Sequence, residues 1–144
     1  MIQEPSSISE ILVPTDFSEC SGRALQFATR IAESSDARLH LLSICDDPVL
    51  MAPTTHQSFR DERIASLSER LAEVIDSGIS ERFRHVSEVR VGTAYYEIET
   101  YAEQTGIDVI VMGTIGRSPL ADLLLGSVAS HVIRYACCPV LTVK

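Results

Sequence analysis

Between positions 111 and 131 the chain reads VMGTIGRSPLADLLLGSVASH, and three of its seven glycines fall there. Gly113 and Gly116 enclose two residues, nine more follow, and Gly126 is succeeded at once by Ser127. Glycine is unfavourable inside regular structure and useful where a backbone turns sharply or approaches something closely. The segment leaves the apolar run Val109-Ile110-Val111-Met112, which reads as a strand, and enters a stretch of helical spacing at Ser127. In an open parallel sheet, ligands sit beyond the carboxyl ends of the strands, which is where this segment starts. A helix N-terminus offers unpaired N–H groups and about half a positive charge, and so binds phosphate. Gly113, Gly116, Gly126 and Ser127 therefore describe an anion cradle of backbone amides. Ser127 adds a hydroxyl donor and Arg117 a full cation. The plainer reading is turn punctuation after a strand; the position of the pattern favours the cradle.

Other chemistries lack their signatures. Neither GxxxxGK[ST] nor GxGxxG occurs, which removes the P-loop and the dinucleotide fingerprint. His40, His56, His85 and His131 show no metal-ligand pairing, and Cys20, Cys45, Cys137 and Cys138 include no CxxC. Buried, reduced thiols are the expectation for the cysteines. Ser127 and His131 are four apart and share a helix face, but no GxSxG elbow accompanies them and no acidic residue stands at a recognisable spacing. A structural or solvated His131 is the favoured reading, and no catalytic or metal-ligating residue is assigned.

The elements that must position the cradle alternate along the chain. Residues 11–13 are a short apolar strand ended by Pro14, and Ser18 caps a helix carrying Leu25, Ala28, Ile31 and Ala32. Residues 38–44 form a second strand. Residues 45–58, with two prolines and no period, read as a long loop. Residues 59–77 form a helix striped by Ile64, Leu67, Leu71 and Val74, and 83–91 a third strand. Thr93 caps a third helix ended by Gly106. Residues 107–112, 127–136 and 139–143 supply a strand, a helix and the last strand. Five strands alternating with four helices imply an α/β fold: an open parallel sheet covered on both faces.

The 144 residues suit a single domain over 1–144. The formal net charge of −8 argues against a nucleic-acid backbone as partner, though not against a small nucleotide. No apolar run approaches membrane-spanning length, and MIQEPSSISE lacks the regions of a signal peptide, so no membrane association and a cytoplasmic location are expected.

GTIGRSPLADLLLGS followed by VASHVIRYACCPVLTV resembles the universal stress protein family, in its nucleotide-binding branch marked by G-x2-G-x9-G-[ST]. ILVPTDFSECSGRAL is similar to that family's first strand and helix, and the likeness spans residues 8–144. The resemblance implies a Rossmann-like, adenine nucleotide alpha hydrolase-like sheet of order 3-2-1-4-5. Pro14-Thr15-Asp16 and Met112-Gly113 would then flank one crevice. It further implies that Pro14, Thr15 and Asp16 contact the adenosine portion of ATP or AMP, with Ile44 beside the adenine. Gly113, Gly116 and Arg117 would bracket ribose and phosphates, Gly126 would open the helix, and Ser127 with the Val128 amide would hold the distal phosphates. Mg²⁺ or Mn²⁺ with the triphosphate is compatible with the family. Asp16 with Glu19 also fits a helix capping box. Two departures stand out: apolar Ile115, and Pro119, which lacks an N–H.

Three functions follow. The first is a ligand-responsive stress module that binds adenine nucleotide. The second is a slow ATPase or a protein that phosphorylates itself at Ser127; with no lysine and only Arg117 nearby, binding is favoured over catalysis. The third is a nucleotide-free structural dimer. The last strand, Pro139 to Val143, is an edge that needs cover, and the resemblance implies a homodimer through it.

Overall fold

A computed structural model describes residues 7–79, 81–115 and 125–144. Five strands, β1 (Glu10–Pro14), β2 (Arg38–Cys45), β3 (His85–Val91), β4 (Val109–Gly113) and β5 (Val140–Val143), form one sheet of order β3-β2-β1-β4-β5. Every neighbouring pair is parallel. The helices are α1 (Glu19–Ser35), α2 (Pro48–Met51), α3 (Gln57–Asp76), α4 (Ala94–Thr105) and α5 (Ser127–Tyr135).

The period of two along each strand divides the core. Ile11, Val13, Leu39, Leu41, Val109 and Val111 face α1 and α3. Leu12, Leu42, Ile110 and Met112 face α4 and α5. Each fully buried aliphatic side chain contributes about 1.5–3 kcal/mol. In α1, Cys20, Ala24, Ala28 and Ala32 are buried at every fourth position, a stripe of small side chains that lets the helix lie close to the sheet.

Residues 45–58 are not the unstructured loop expected. Asp47 caps α2 by accepting from the Val49 N–H at 2.9 Å, and Pro48 sits in the first turn. Leu50 packs against Cys45 and Leu67. Thr93 holds the cap position of α4 without a side-chain bond; Asp46 Oδ2 accepts the Ala94 N–H instead, at 2.9 Å. Gly106 ends α4 at φ 65°, as a left-handed cap requires. Cys20 and Cys45 are buried, but Cys137 is exposed and Cys138 half-buried, against the expectation for them. The exposed thiol lies in a bend between α5 and β5, outside both apolar faces.

At the amino ends of the strands, Asp108 joins β1 to β4. Its Oδ2 accepts from the Ser9 N–H at 2.8 Å, the Ser9 hydroxyl at 3.0 Å and the Glu10 N–H at 2.9 Å. The Ser9 amide, chief among these donors, holds the carboxyl below its ordinary pKa. A folded pKa below the unfolded one, about 3.9, gives stability that is complete above about pH 5 and lost as pH falls through the folded value. Asp108→Ala should cost about 1–2 kcal/mol at pH 7 in urea unfolding. That cost should shrink steadily once the pH drops below about 3.9.

Candidate functional site

A cavity of about 420 Å³ opens at the carboxyl end of the sheet, between the end of β1 and the end of β4. These strands are neighbours although not consecutive, so the chain leaves them in opposite directions and a crevice opens at that point. Its apolar lining is the outer part of the core on the α4 and α5 face: Leu42, Ile44, Ile98, Met112, Val128 and Ala129. Its polar lining includes Thr15, Asp16, Ser18, Ser21, Thr114 and Ser127.

The turn after β1 is tightly tied. The Thr15 N–H donates to the Leu42 carbonyl at 2.8 Å. Thr15 Oγ1 accepts the Phe17 N–H at 3.1 Å, and Asp16 Oδ1 accepts the Ser18 N–H at 3.0 Å. Ser18 then caps α1 by accepting from the Ser21 N–H at 3.2 Å. The capping box considered for Asp16 and Glu19 does not form; Glu19 pairs with Arg23 at 2.7 Å. Phe17 sits at φ 62°, a left-handed conformation that costs a bulky residue about 1–3 kcal/mol.

Across the cavity, Gly126 holds the cap position of α5 at φ −69° and ψ 163°. Its N–H donates to the Thr114 carbonyl at 2.6 Å, and its own carbonyl accepts from Ser130 at 2.9 Å. Among the described residues no side chain caps the helix, and the amides of Ser127, Val128 and Ala129 have no acceptor there. Any residue can adopt the dihedrals of Gly126, so backbone freedom does not account for glycine there. What glycine does is omit the side-chain oxygen that Ser or Asp would place on those amides.

Gly113 also serves a purpose other than the sharp turn expected of it, since its φ is not positive. A Cβ at this position would lie 3.0 Å from Cys20 Sγ and 3.1 Å from the Cys20 carbonyl carbon. Gly113 is therefore the point where the first turn of α1 meets the end of β4. The Cys20 thiol donates to the Val143 carbonyl at 3.1 Å. Burial works to raise its pKa, but hydrogen bonds from the Ile115 and Thr114 amides and the Thr114 hydroxyl, with the Arg23 charge, hold it below the ordinary value.

The structure thus brings Pro14, Thr15, Asp16, Ile44, Met112, Gly113, Gly126, Ser127 and Val128 to one cavity. Gly116 and Arg117, with Pro119, lie outside the described residues. Sequence reasoning missed Ser18, Ser21, Leu42, Ala94, Ile98 and Thr114. Ile98 stands on the apolar stripe of its helix and Thr114 beside Gly113, so both carried a signal; Ala94 did not. The acidic partner missing for His131 is also present: Glu99 Oε1 lies 2.8 Å from His131 Nδ1, and Tyr95 stacks on the ring at 3.8 Å. It comes from another helix, where spacing along the chain gives no clue. No group of three or more metal-ligating side chains occurs among the described residues. No described helix is long and apolar enough to cross a membrane.

An open, doubly wound parallel sheet with a cavity at its switch point is the class of α/β protein that holds ligands beyond its strand ends. Within that class, the chain belongs to the universal stress protein family, whose sequence profile matches residues 8–144. It is 35% identical over 140 residues to universal stress protein MJ0531 of Methanocaldococcus jannaschii, covering 94% of this chain and 81% of that one. The solved structure of MJ0577, from the same archaeon, superposes with a TM-score of 0.82 at 30% identity, covering 96% and 97% of the two chains. A universal stress protein solved in complex with cAMP superposes with a TM-score of 0.73 at 26% identity, covering 96% and 98%.

Two glycine substitutions should separate in sign. Gly22 is exposed in the interior of α1 with nothing within 4 Å of a built Cβ, so Gly22→Ala should stabilise by about 0.5–1 kcal/mol. Gly113→Ala meets backbone that cannot give way freely and should destabilise by about 1–3 kcal/mol in the same denaturation assay.

Proposed function

We propose that the chain binds an adenine nucleotide, ATP or AMP, in this cavity and works as a ligand-responsive stress module in the cytoplasm. The observation that carries the reading is the uncapped start of α5 at the cavity wall. The other described helices begin with an acceptor in place: Ser18 for α1, Asp47 for α2, His56 for α3 and Asp46 for α4. The amides of Ser127 and Val128 are left to receive phosphate oxygens, with the Ser127 hydroxyl beside them. The apolar lining around Ile44, Ile98 and Met112 suits the base, and Thr15 and Asp16 suit the ribose. The resemblance in sequence assigns Gly116 and Arg117 to the ribose and phosphates as well. The related protein solved with cAMP supports an adenine ligand. With no cluster of metal-ligating side chains among the described residues, Mg²⁺ or Mn²⁺ would be held mainly by the triphosphate.

A second reading is slow hydrolysis of ATP or phosphorylation of Ser127. It is favoured by one observation: His131, one helical turn beyond Ser127, has its ring oriented by Glu99. Turnover by purified protein with Mg²⁺, abolished in Ser127→Ala, would establish it over binding alone.

The edge position of β5, whose four residues are all part-exposed, supports a homodimer formed by antiparallel pairing of Pro139 to Val143 with a second copy. Light scattering at micromolar protein should give twice the chain mass; a monomer mass rejects the pairing.

Calorimetric titration of ATP with Mg²⁺ tests the nucleotide reading. The wild type should bind. Gly126→Asp supplies its own cap, so it should gain a few tenths of a kcal/mol in stability while losing about tenfold or more in ATP affinity. AMP, with a single phosphate, should lose less. No binding by the wild type would leave the nucleotide-free structural dimer.

A further inference from the structure

We propose that Phe17 is a positioning residue for the ligand: its ring anchors the turn after β1 and so fixes Thr15 and Asp16 at the adenosine end of the cavity. The inference rests on the nucleotide reading above and deepens it. Thr15, Asp16 and Ser18 line the cavity, whereas Phe17, between them, does not. Its ring packs on the opposite side, against the cluster of Cys45, Leu50 and Leu67 and against the core beneath α1 and α3. The Arg70 guanidinium of α3 covers the ring at 4.1 Å from its centroid.

The backbone gives the reason to read this as an anchor. At φ 62° glycine would be at ease and phenylalanine is not. The ring contacts are what hold a bulky residue in that conformation. Reversal of the chain there sends the Phe17 side chain toward α3 while its neighbours line the cavity. The two hydrogen bonds of the turn run from the Phe17 and Ser18 amides to the side chains of Thr15 and Asp16. Both amides flank the Phe17 α-carbon, so a shift of that residue moves the N–H donors that orient the two cavity side chains. Phe17 is the one apolar side chain among residues 15–18, and it is partly buried against the cluster of Cys45, Leu50 and Leu67.

Phe17→Ala keeps the unfavourable dihedral and removes the anchor; Phe17→Tyr keeps both the ring and its apolar contacts. Titration calorimetry of AMP and of ATP, on variants shown to be folded by circular dichroism, tests the role. Phe17→Ala should weaken AMP and ATP by the same factor, about tenfold, the equivalent of one misplaced hydrogen-bonding group. Phe17→Tyr should restore affinity to within about twofold of the wild type. The equal loss matters, because a general loosening of the cavity or damage at the phosphate end would change the ratio of ATP to AMP affinity. Arg70→Met lies outside the cavity on an exposed position of α3 and should weaken both ligands by about threefold. If Phe17→Ala does not fold, Arg70→Met decides: unchanged affinity there overturns the inference. Wild-type affinity in folded Phe17→Ala overturns it alone. Absence of binding by the wild type overturns the nucleotide reading and this inference with it.

Discussion

The arrangement of the cavity depends on how closely α1 can approach the end of β4, and that approach is set at Gly113. The buried apolar side chains of α1 are Cys20, Ala24, Ala28 and Ala32, each small enough to bring the helix axis near the strands. At the first turn a hydrogen at Gly113 replaces the Cβ that would meet Cys20. Since α1 follows β1 and Gly113 ends β4, this contact joins the two halves of the chain at the point where the strand order reverses. From there the connections run outward. Thr114 donates to the Val143 carbonyl at 2.9 Å, and its own carbonyl receives the Gly126 amide. The edge strand, the end of β4 and the start of α5 therefore share one backbone network.

On the proposed function, this network is what would let a chain with a net charge of −8 hold a phosphate. Long-range attraction for anions is unavailable, so the donors must be local and oriented. Backbone amides at a helix start meet that need without adding side-chain charge. They stay available because Gly126 contributes no competing oxygen. The opposite end of the sheet shows the other solution. There Asp108 takes up the free amides of Ser9 and Glu10, and Glu10 is engaged by Arg38 and by His40, the latter at 2.5 Å. Amides are satisfied where the protein needs only stability and left open where the cavity lies.

Much of this was legible in the sequence because period and punctuation act locally. The continuous apolar runs Ile11-Leu12-Val13 and Val109 to Met112 mark two strands, and Ser18 and Gly106 mark helix ends that the structure also uses. The glycine spacing located the segment at the end of β4. What was not legible depends on distance along the chain. Asp46 caps a helix that begins 48 positions later, and Glu99 orients a histidine 32 positions away. The packing of Gly113 against Cys20 is illegible for the same reason, since Cys20 belongs to the first helix. The short helix at Pro48 was a different failure: Asp47-Pro48 is a local start signal, and the prolines were weighed only as breakers.

Around the cavity, the usual pairing of residue type with backbone conformation is reversed at three positions. Gly126 and Gly113 stand where the backbone would accept any residue, and Phe17 stands where it would prefer glycine. Away from the cavity Gly106 keeps the rule at its left-handed helix end, whereas Asp36 takes φ 54° at the end of α1 and Gly22 lies within that helix. The reversals have distinct causes: one glycine admits a helix, the other withholds a cap, and the phenylalanine trades dihedral strain for an apolar anchor. Each cause concerns what surrounds the cavity rather than the local chain. Departures from local preference that converge on one cavity are the pattern expected where a fold serves a ligand, because stability alone would have selected the locally favoured residue at each position.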